Sequence, residues 1–250
     1  MKKIACLATV QERQSSLLQT IASIYNQVDE VHVYLNDYER KPAILYVKVF
    51  NNFKNVKLHF GPELAGDLGD AAKFYFIDKL PECYYFTLDD DLFYPQNYVK
   101  KHLAFQEYFN NEIITTYHGR SLFKFPLKGF YHPELSSDVK CLRESKYPQF
   151  TQFGGTGVMC IPTHKIKLAL NDFGAERNMA DVWVGIYSQR NNIPILTLPH
   201  AQGEITHNKI DMKTTTYSTC NKADAPKDVI NRELDGLKLV TYTMKADMKP

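Results

Sequence analysis

Residues 2–37 read KKIACLATVQERQSSLLQTIASIYNQVDEVHVYLND, and this stretch decides the fold class. Its first part, Lys3 to Val10, is a continuous apolar run typical of a strand that is buried on both faces. Ser15 or Ser16 can then cap a helix, because apolar residues follow at helical spacing: Leu17, Leu18, Ile21, Ile24, Tyr25 and Val28. From Val31 to Leu35 the residues alternate as in a second strand. The stretch therefore predicts strand, helix, strand.

The same alternation continues to residue 117. The pattern predicts a helix after Pro42, a strand at 56–60, a helix at 70–80, a strand at 84–88, a helix from Pro95 towards Phe109, and a strand at 113–117. Strands that alternate with helices predict an α/β domain with a mainly parallel sheet and helices on both faces.

The second half of the chain is less regular. From His118 to Gln152, prolines stand among aromatic and charged residues, and we expect loops that shape a binding cleft. Regular elements are expected again at 158–161 (strand), from Pro162 to Leu170 (helix), at 181–191 (helix) and at 195–198 (strand). The stretch 213–227 is rich in Thr, Ser, Lys and Asp, which predicts a loop or arm before a final helix.

Charge and composition exclude some functions. The 250 residues include 30 Lys and Arg against 28 Asp and Glu, a net charge of +2, and the two signs are interspersed. A nucleic-acid partner is not indicated, because it usually requires a basic surplus or stripe. The aromatic share of 13% comes from 16 Tyr and 15 Phe but only one Trp, a surplus that suits both a core and a lined cleft.

The cysteines and the lengths of the apolar runs indicate the cellular compartment. The five cysteines are scattered and form no CxxC pair, which argues against a disulfide framework or a zinc site. No run reaches the ~18 apolar residues of a transmembrane segment, and the N-terminal run is too short for a secretory signal. We expect a cytoplasmic protein, with a peripheral position at the inner membrane face left open.

Three consecutive aspartates follow the predicted strand at 84–88. Ligands bind at the carboxyl ends of strands in open α/β sheets. Side chains alternate along a strand, so Asp89 and Asp91 can point to one side and Asp90 to the other. Paired carboxylates suit Mg²⁺ or Mn²⁺, which can also bridge to a diphosphate. A solvated acidic turn is the alternative.

In this context the chain resembles a family. Residues 8–13 (ATVQER), residues 17–27 (LLQTIASIYNQ) and the Asp89-Asp90-Asp91 motif resemble the nucleotide-sugar glycosyltransferases of the GT-A fold, particularly family 2, in order and spacing. The family's DxD motif lies at the end of a later strand, as the aspartates do here. The resemblance implies a GT-A fold over a single catalytic domain, 1–250, with a nucleotide-binding half (1–117), an acceptor-binding half (118–212) and a C-terminal arm and helix (213–250).

The resemblance also implies roles for particular residues. The residues at the base and ribose would be Thr9, Val10, Arg13, Asn36 and Asp37. Those facing the nucleotide and donor sugar would be Gly69, Asp70, Lys73, Asp89 and Asp90, with the Lys73 charge offsetting the diphosphate. The alternative for Arg13 and Lys73 is a solvated surface charge. The opening also departs from the family, which favours Pro or Asn near Val10 and Gln11.

The metal ligands and the catalytic base are the remaining residues to assign. Asp89, Asp91 and His207 would hold Mn²⁺ or Mg²⁺, although a lone histidine is more often a surface residue. Asp181 would be the base, with Glu176 in reserve; Ala180 stands where the family has a further acid. Asp181 could instead be only a helix N-cap.

Two further features accompany these residues. Gly154-Gly155-Thr156-Gly157 resembles the family's glycine segment, where the backbone approaches donor or acceptor; a tight turn is the alternative. Trp183 could stack on an acceptor sugar or pack in the core.

The resulting hypothesis is a metal-dependent, inverting glycosyltransferase that moves a sugar from a nucleotide-sugar donor, first of all a UDP-sugar, to a hydroxyl of a glycan or lipid-linked glycan in polysaccharide biosynthesis. A nucleotidyltransferase is the first alternative, but residues 8–16 lack the glycine-rich loop that it needs. A glycan-binding module without turnover is the second.

Overall fold

The structure is a computed structural model that describes residues 1–130, 136–208, 225–236 and 239–243. The helices are α1 (Gln14–Ile24), α2 (Ala43–Asn52), α3 (Tyr98–Tyr108), α4 (Ala180–Asn191) and α5 (Ala225–Glu233). The strands are β1 (Lys2–Thr9), β2 (Glu30–Leu35), β3 (Val56–Phe60), β4 (Cys83–Leu88), β5 (Leu92–Phe93), β6 (Ile114–Thr116), β7 (Gly119–Leu122), β8 (Ser136–Val139), β9 (Gln149–Thr151), β10 (Phe153–Gly154), β11 (Val158–Pro162), β12 (Ile195–Thr197) and β13 (Thr206–His207).

An eight-stranded sheet in the order β3-β2-β1-β4-β11-β6-β12-β9 forms the centre of the molecule. Strands β3, β2, β1 and β4 are parallel, as are β6 and β12, while β11 and β9 run antiparallel to their neighbours. The predicted α/β fold with a mainly parallel sheet is confirmed. The strand order reverses direction between β1 and β4, which makes the carboxyl ends of these two strands the expected ligand crevice.

Apolar side chains are buried on both faces of this sheet. Ala5 and Leu7 of β1 join one core with α1 and α3, while Ile4 and Cys6 join a second core on the opposite face. Because successive side chains of a strand point to opposite faces, the continuous apolar run of β1 fills both cores. A third cluster joins α4 and α5 to the loops, and Trp183 lies within it, 4% exposed.

The first half of the chain matches the sequence prediction closely, with two exceptions. Helix α1 begins at Gln14, and neither serine caps it: the Ser16 hydroxyl donates to the Arg13 carbonyl at 2.9 Å. Instead of a helix at 70–80, a 3-10 helix spans Gly69–Phe74. Backbone N–H groups as far as Lys79 still donate to the carbonyl three residues earlier. This tighter 3-10 geometry is favoured because it buries Phe74, Phe76 and Ile77 against the sheet.

The second half differs more. Residues 118–152 contain β7, β8 and β9 as well as loops, and β10-β7-β8 form a small antiparallel sheet of their own. The predicted helix from Pro162 to Leu170 is wrong. Thr163 extends the pairing of β11, since its N–H donates to the Cys83 carbonyl at 2.9 Å, and only a 3-10 turn, Leu170–Asp172, follows.

The remaining predictions concern the C-terminal part and membrane spans. The expected final helix is α5. Of the arm predicted at 213–227, residues 225–227 belong to α5 instead, and the rest lies outside the described residues. Within the described ranges, no helix has the length and apolarity to cross a bilayer.

Candidate active site

The three aspartates lie at the carboxyl end of β4, beside the end of β1. Tyr94 holds this turn: its hydroxyl donates to the Gly157 carbonyl at 2.6 Å and accepts from the Asp89 N–H at 2.9 Å. The Asp89 side chain is 42% exposed, whereas Asp90 and Asp91 are buried. The alternative of a solvated acidic turn is therefore wrong.

Two cations neutralise part of the cluster. The Lys73 ammonium contacts Asp89 Oδ1 directly, and Arg13 Nη1 lies 2.8 Å from Asp90 Oδ1 and 3.7 Å from Asp91 Oδ2. The Lys73 side chain is 6% exposed and that of Arg13 14%, so neither is a surface charge. Both contact the aspartates at the carboxyl edge of the sheet.

The pKa values follow from burial and these neighbours. Partial burial penalises the charged form of Asp89, but the Lys73 ammonium in contact with it outweighs this and lowers the pKa of Asp89. Burial, together with the charges of Asp89 and Asp90, raises the pKa of Asp91 to about 6. Burial opposes charge on Lys73 too, yet Asp89 and Asp70 raise its pKa above the usual value. The Arg13 charge, 3.7 Å from Asp91 Oδ2, offsets only part of this effect.

The residues predicted for the base and ribose reach the same edge of the sheet. Thr9 is the last residue of β1 and is buried. Burial raises the pKa of Asp90, and the hydrogen bond between the Thr9 hydroxyl and the Asp90 side chain acts in the opposite direction. Asn36 Nδ2 donates to the Gly69 carbonyl at 2.6 Å, and Oδ1 accepts from the Leu68 N–H at 3.1 Å. Asn36 therefore positions the segment before the 3-10 helix.

Val10 and Asp37 border this position. The Val10 carbonyl accepts a hydrogen bond from the Tyr38 hydroxyl at 3.2 Å. Asp37 is exposed and has a φ of 47°, a left-handed conformation that aspartate tolerates. Both residues stay predicted nucleotide contacts, at the end of β1 and of β2.

Asp70 has a role that the sequence analysis missed. Its Oδ2 accepts from the N–H of Ala180, the first residue of α4, at 2.9 Å, and its own N–H donates to Asn178 Oδ1 at 3.2 Å. A carboxylate from a distant segment thus accepts a hydrogen bond from a backbone N–H at the start of α4 that has no partner within the helix. Burial raises the pKa of Asp70 to about 6, against the opposing Lys73 charge.

Asp181 lies in the first turn of α4 and faces the aspartate cluster across residues 154–157. Its Oδ1 accepts from the Thr156 N–H at 2.7 Å and from the Thr156 hydroxyl at 2.6 Å. The interpretation of Asp181 as only an N-cap is wrong, because Met179 occupies that position and Asp70 caps the helix. The side chain is exposed, and in the described part of the chain no residue donates to its Oδ2.

The glycines at 154–157 permit close packing of these groups. A Cβ on Gly157 would overlap the Asp89 carboxylate, and a Cβ on Gly155 would lie 2.7 Å from Cβ of His118. The segment is therefore more than a tight turn, because the missing side chains let the backbone pass between Asp89 and Asp181.

His118 is a second residue that the sequence analysis missed. It follows β6 at the same edge of the sheet, and the position after a strand end was the available signal. Burial lowers the pKa of His118, while the Asp181 charge acts in the opposite direction. A neutral imidazole next to Asp181 results at neutral pH.

The other predicted residues have separate environments. Glu176 pairs with Arg232 at 2.9 Å, and its carbonyl accepts from Trp183 Nε1 at 3.4 Å, so Trp183 packs in the core. His207 pairs with Leu92 in the β13-β5 ladder, next to Asp91, and its charge would lower the pKa of Asp91.

The donor set suits a divalent cation that is bound with a diphosphate. In the described residues, no three His, Cys, Asp or Glu side chains converge as a ligand group, so ligation by His207 stays a prediction. Carboxylates nevertheless outnumber cations here: Asp70, Asp89, Asp90, Asp91 and Asp181 face Lys73 and Arg13. Mg²⁺ and Mn²⁺ commonly use one or two carboxylates, with phosphate and water as the other ligands. Asp89 and Asp91 have the oxygen donors that such an ion uses, and their ligation of a metal stays a prediction.

Comparisons with known proteins support the fold. Mannosyltransferase PcManGT from Pyrobaculum calidifontis, in complex with GDP-Man and Mn²⁺, is similar with a TM-score of 0.55 and 11% identity over 93% of this chain and 68% of that chain. The S. aureus TarS fragment 1–349 in complex with UDP-GlcNAc has a TM-score of 0.51 and 16% identity, over 93% and 71%. The chain has the GT-A fold.

The match to a further TarS 1–349 structure has a TM-score of 0.52 and 13% identity over 80% of this chain. The matched region spans 59% of that TarS fragment. No protein-family model matches the sequence, and a sequence search of curated proteins finds no match.

Proposed function

We propose that this protein is a metal-dependent glycosyltransferase that transfers a sugar, with inversion, from a nucleoside-diphosphate-sugar to a hydroxyl of a glycan. One observation carries the proposal. Asp181 and the aspartate cluster at the end of β4 flank a single glycine-containing segment, with Thr156 bound to Asp181 and Gly157 against Asp89. The proposed base and the proposed metal ligands thus contact consecutive residues of one segment, Thr156 and Gly157.

The chemistry follows from these positions. The acceptor hydroxyl gives its proton to Oδ2 of Asp181 while its oxygen attacks the anomeric carbon of the donor. The bond from that carbon to the diphosphate oxygen breaks, and the nucleoside diphosphate leaves with the electron pair. A divalent cation held by Asp89 and Asp91 would supply charge neutralisation for the leaving group. Lys73 and Arg13 keep the ligand carboxylates oriented.

The structural neighbours support the donor class. One binds UDP-GlcNAc, and another binds GDP-Man with Mn²⁺. A UDP-sugar, the donor that the family resemblance favours, is tested first, with a GDP-sugar beside it.

The first experiment screens nucleotide sugars for Mn²⁺-dependent hydrolysis, followed by transfer to glycan acceptors. Hydrolysis of one donor is expected, with loss on chelation and in Asp91→Asn. Glu63→Gln, on the exposed surface, serves as a matched control. The proposal is contradicted if no donor is hydrolysed and UDP and GDP do not bind with Mn²⁺, or if Asp91→Asn retains full activity.

A second experiment tests the base. Asp181→Asn removes the proton acceptor while it keeps the side-chain shape, so transfer should fall by about 10²–10⁴-fold with little change in donor affinity. Glu176→Gln alters a carboxylate on the same approach to α4 and should leave transfer intact. Equal losses in both variants would count against Asp181, and retention of the donor's anomeric configuration in the product would exclude a single displacement.

A further inference from the structure

A polar pocket lies at the end of β8, in the second half of the chain. It has a volume of about 280 Å³ and is formed by β8 and the chain that leads to β9, from Ser137 to Gln149. Pockets that enclose drug-sized ligands are ~300–1,000 Å³, so this one suits a single sugar unit or charged group.

The charges in this pocket have a positive excess. Asp138 pairs with Arg120 at 3.0 Å, and Glu144 with Lys146 at 3.8 Å. Lys140 and Arg143 also line the pocket. Among the residues that the structure describes, no carboxylate lies within ion-pair distance of either side chain. Two cations therefore remain for an anionic ligand.

The pocket wall is tied to the central sheet through His200. Its Nε2 lies 3.1 Å from the Lys140 carbonyl, and its backbone N–H and carbonyl both bond to Ser145 at 2.8 Å. The Arg143 N–H donates to the Lys140 carbonyl at 2.9 Å. Because His200 is buried, the turn that carries the two cations is anchored before any ligand binds.

The small sheet connects this pocket with the proposed base. Val139, Gly119 and Gly154 lie side by side across β8, β7 and β10. Neighbouring strands are ~4.8 Å apart, so Val139 is about 10 Å from Gly154, which leads into the segment that holds Asp181. Lys140 follows Val139 directly in the chain, so it lies at the end of β8 on the same small sheet.

We infer that this pocket binds an anionic group of the acceptor, a phosphate or a carboxylate, while a hydroxyl of the same acceptor reaches Asp181. The assignment of the ligand as an acceptor rests on the proposed function. Binding of an anion in the pocket depends only on Lys140 and Arg143. The acceptor class is therefore a charged glycan: a phosphorylated sugar or a uronic acid.

The test titrates the full chain, in EDTA and at constant ionic strength, with inorganic phosphate and separately with glucuronate. Wild type should bind at least one of them, and Lys140→Ala/Arg143→Ala should weaken that binding at least about tenfold. Lys48→Ala/Lys54→Ala removes the same charge from exposed positions elsewhere and should change it less than twofold. Tighter phosphate binding assigns a phosphorylated glycan, and tighter glucuronate binding a uronic acid.

Three results would overturn the inference: no binding to wild type, coincident curves for wild type and the pocket variant, or equal weakening in the control. Binding of UDP with Mn²⁺ to wild type is measured in parallel and reports on the proposed function alone. If the protein binds UDP but neither anion, only the pocket inference is contradicted. If it binds the anion but no nucleotide, only the proposed transferase function is contradicted.

Discussion

The hydroxyl of Thr156 offers the sharpest test of the base. Thr156→Val keeps the side-chain shape at a buried position and leaves the N–H bond to Asp181, but removes the 2.6 Å hydroxyl bond. Hydrogen bonds to charged groups contribute about 1.5–3 kcal/mol, and the exposure of Asp181 puts this one at the lower end. The bond also fixes the direction of Oδ2, and misorientation of the base that costs about 1.4 kcal/mol in the transition state is a tenfold loss in rate.

We therefore expect Thr156→Val to lower kcat for transfer about tenfold, with donor KM within twofold of wild type, measured by initial rates once the donor is known. Thr156→Ser keeps the hydroxyl and should remain within about twofold. In an Asp181→Asn background the valine should add little, because its effect acts through that carboxylate. Thermal unfolding should shift by only ~2–4 °C for about 1 kcal/mol. Wild-type turnover in Thr156→Val, or an equal loss in Thr156→Ser, would show that the hydroxyl does not position Asp181.

Three further predictions address the buried charges and the close packing. The pKa of Asp70 is raised from 3.8 to about 6, so the folded protein keeps a proton that the unfolded chain releases, and the free energy of unfolding falls as pH rises through this window. The Asn side chain of Asp70→Asn can still accept the Ala180 N–H bond. In urea unfolding without metal, this variant should lose about 3 kcal/mol of the pH-dependent fall in the free energy of unfolding, and an unchanged pH dependence would contradict the prediction. Mn²⁺ affinity should fall up to tenfold per pH unit below about 6, since the ion displaces a proton from Asp91; equal affinity at pH 5 and 7, by electron paramagnetic resonance, would exclude it. Gly157→Ala should destabilise the fold by about 1–3 kcal/mol through overlap with Asp89, and this cost should vanish in an Asp89→Ala background; a persistent cost would place the clash elsewhere.

Much of the site could be predicted from local pattern. The apolar run of β1 and the alternation of β2 define buried parallel strands, and parallel strands present their carboxyl ends at one edge. Asp89 to Asp91 follow such a strand directly. Asp181 stands at the start of a periodic segment, so its place near a helix start was also readable.

Other features depend on contacts between distant segments. The pairing of Lys73 with Asp89 and of Asp70 with α4 joins residues that nothing local connects. The sequence pattern at 70–80 is helical, but burial of its aromatic side chains against the sheet favours a 3-10 turn. His118 gains its significance only from its position next to Gly155, in the segment that leads to Thr156 and Asp181.

The sequence by itself determined the α/β class, the strand that carries the aspartates and the candidate base, because these depend on the periodicity of neighbouring residues. Which charges are paired, buried or exposed follows only from the folded chain. A pKa or an ion pair depends on distances across the fold, which brings together residues as far apart in the sequence as Asp70 and Ala180.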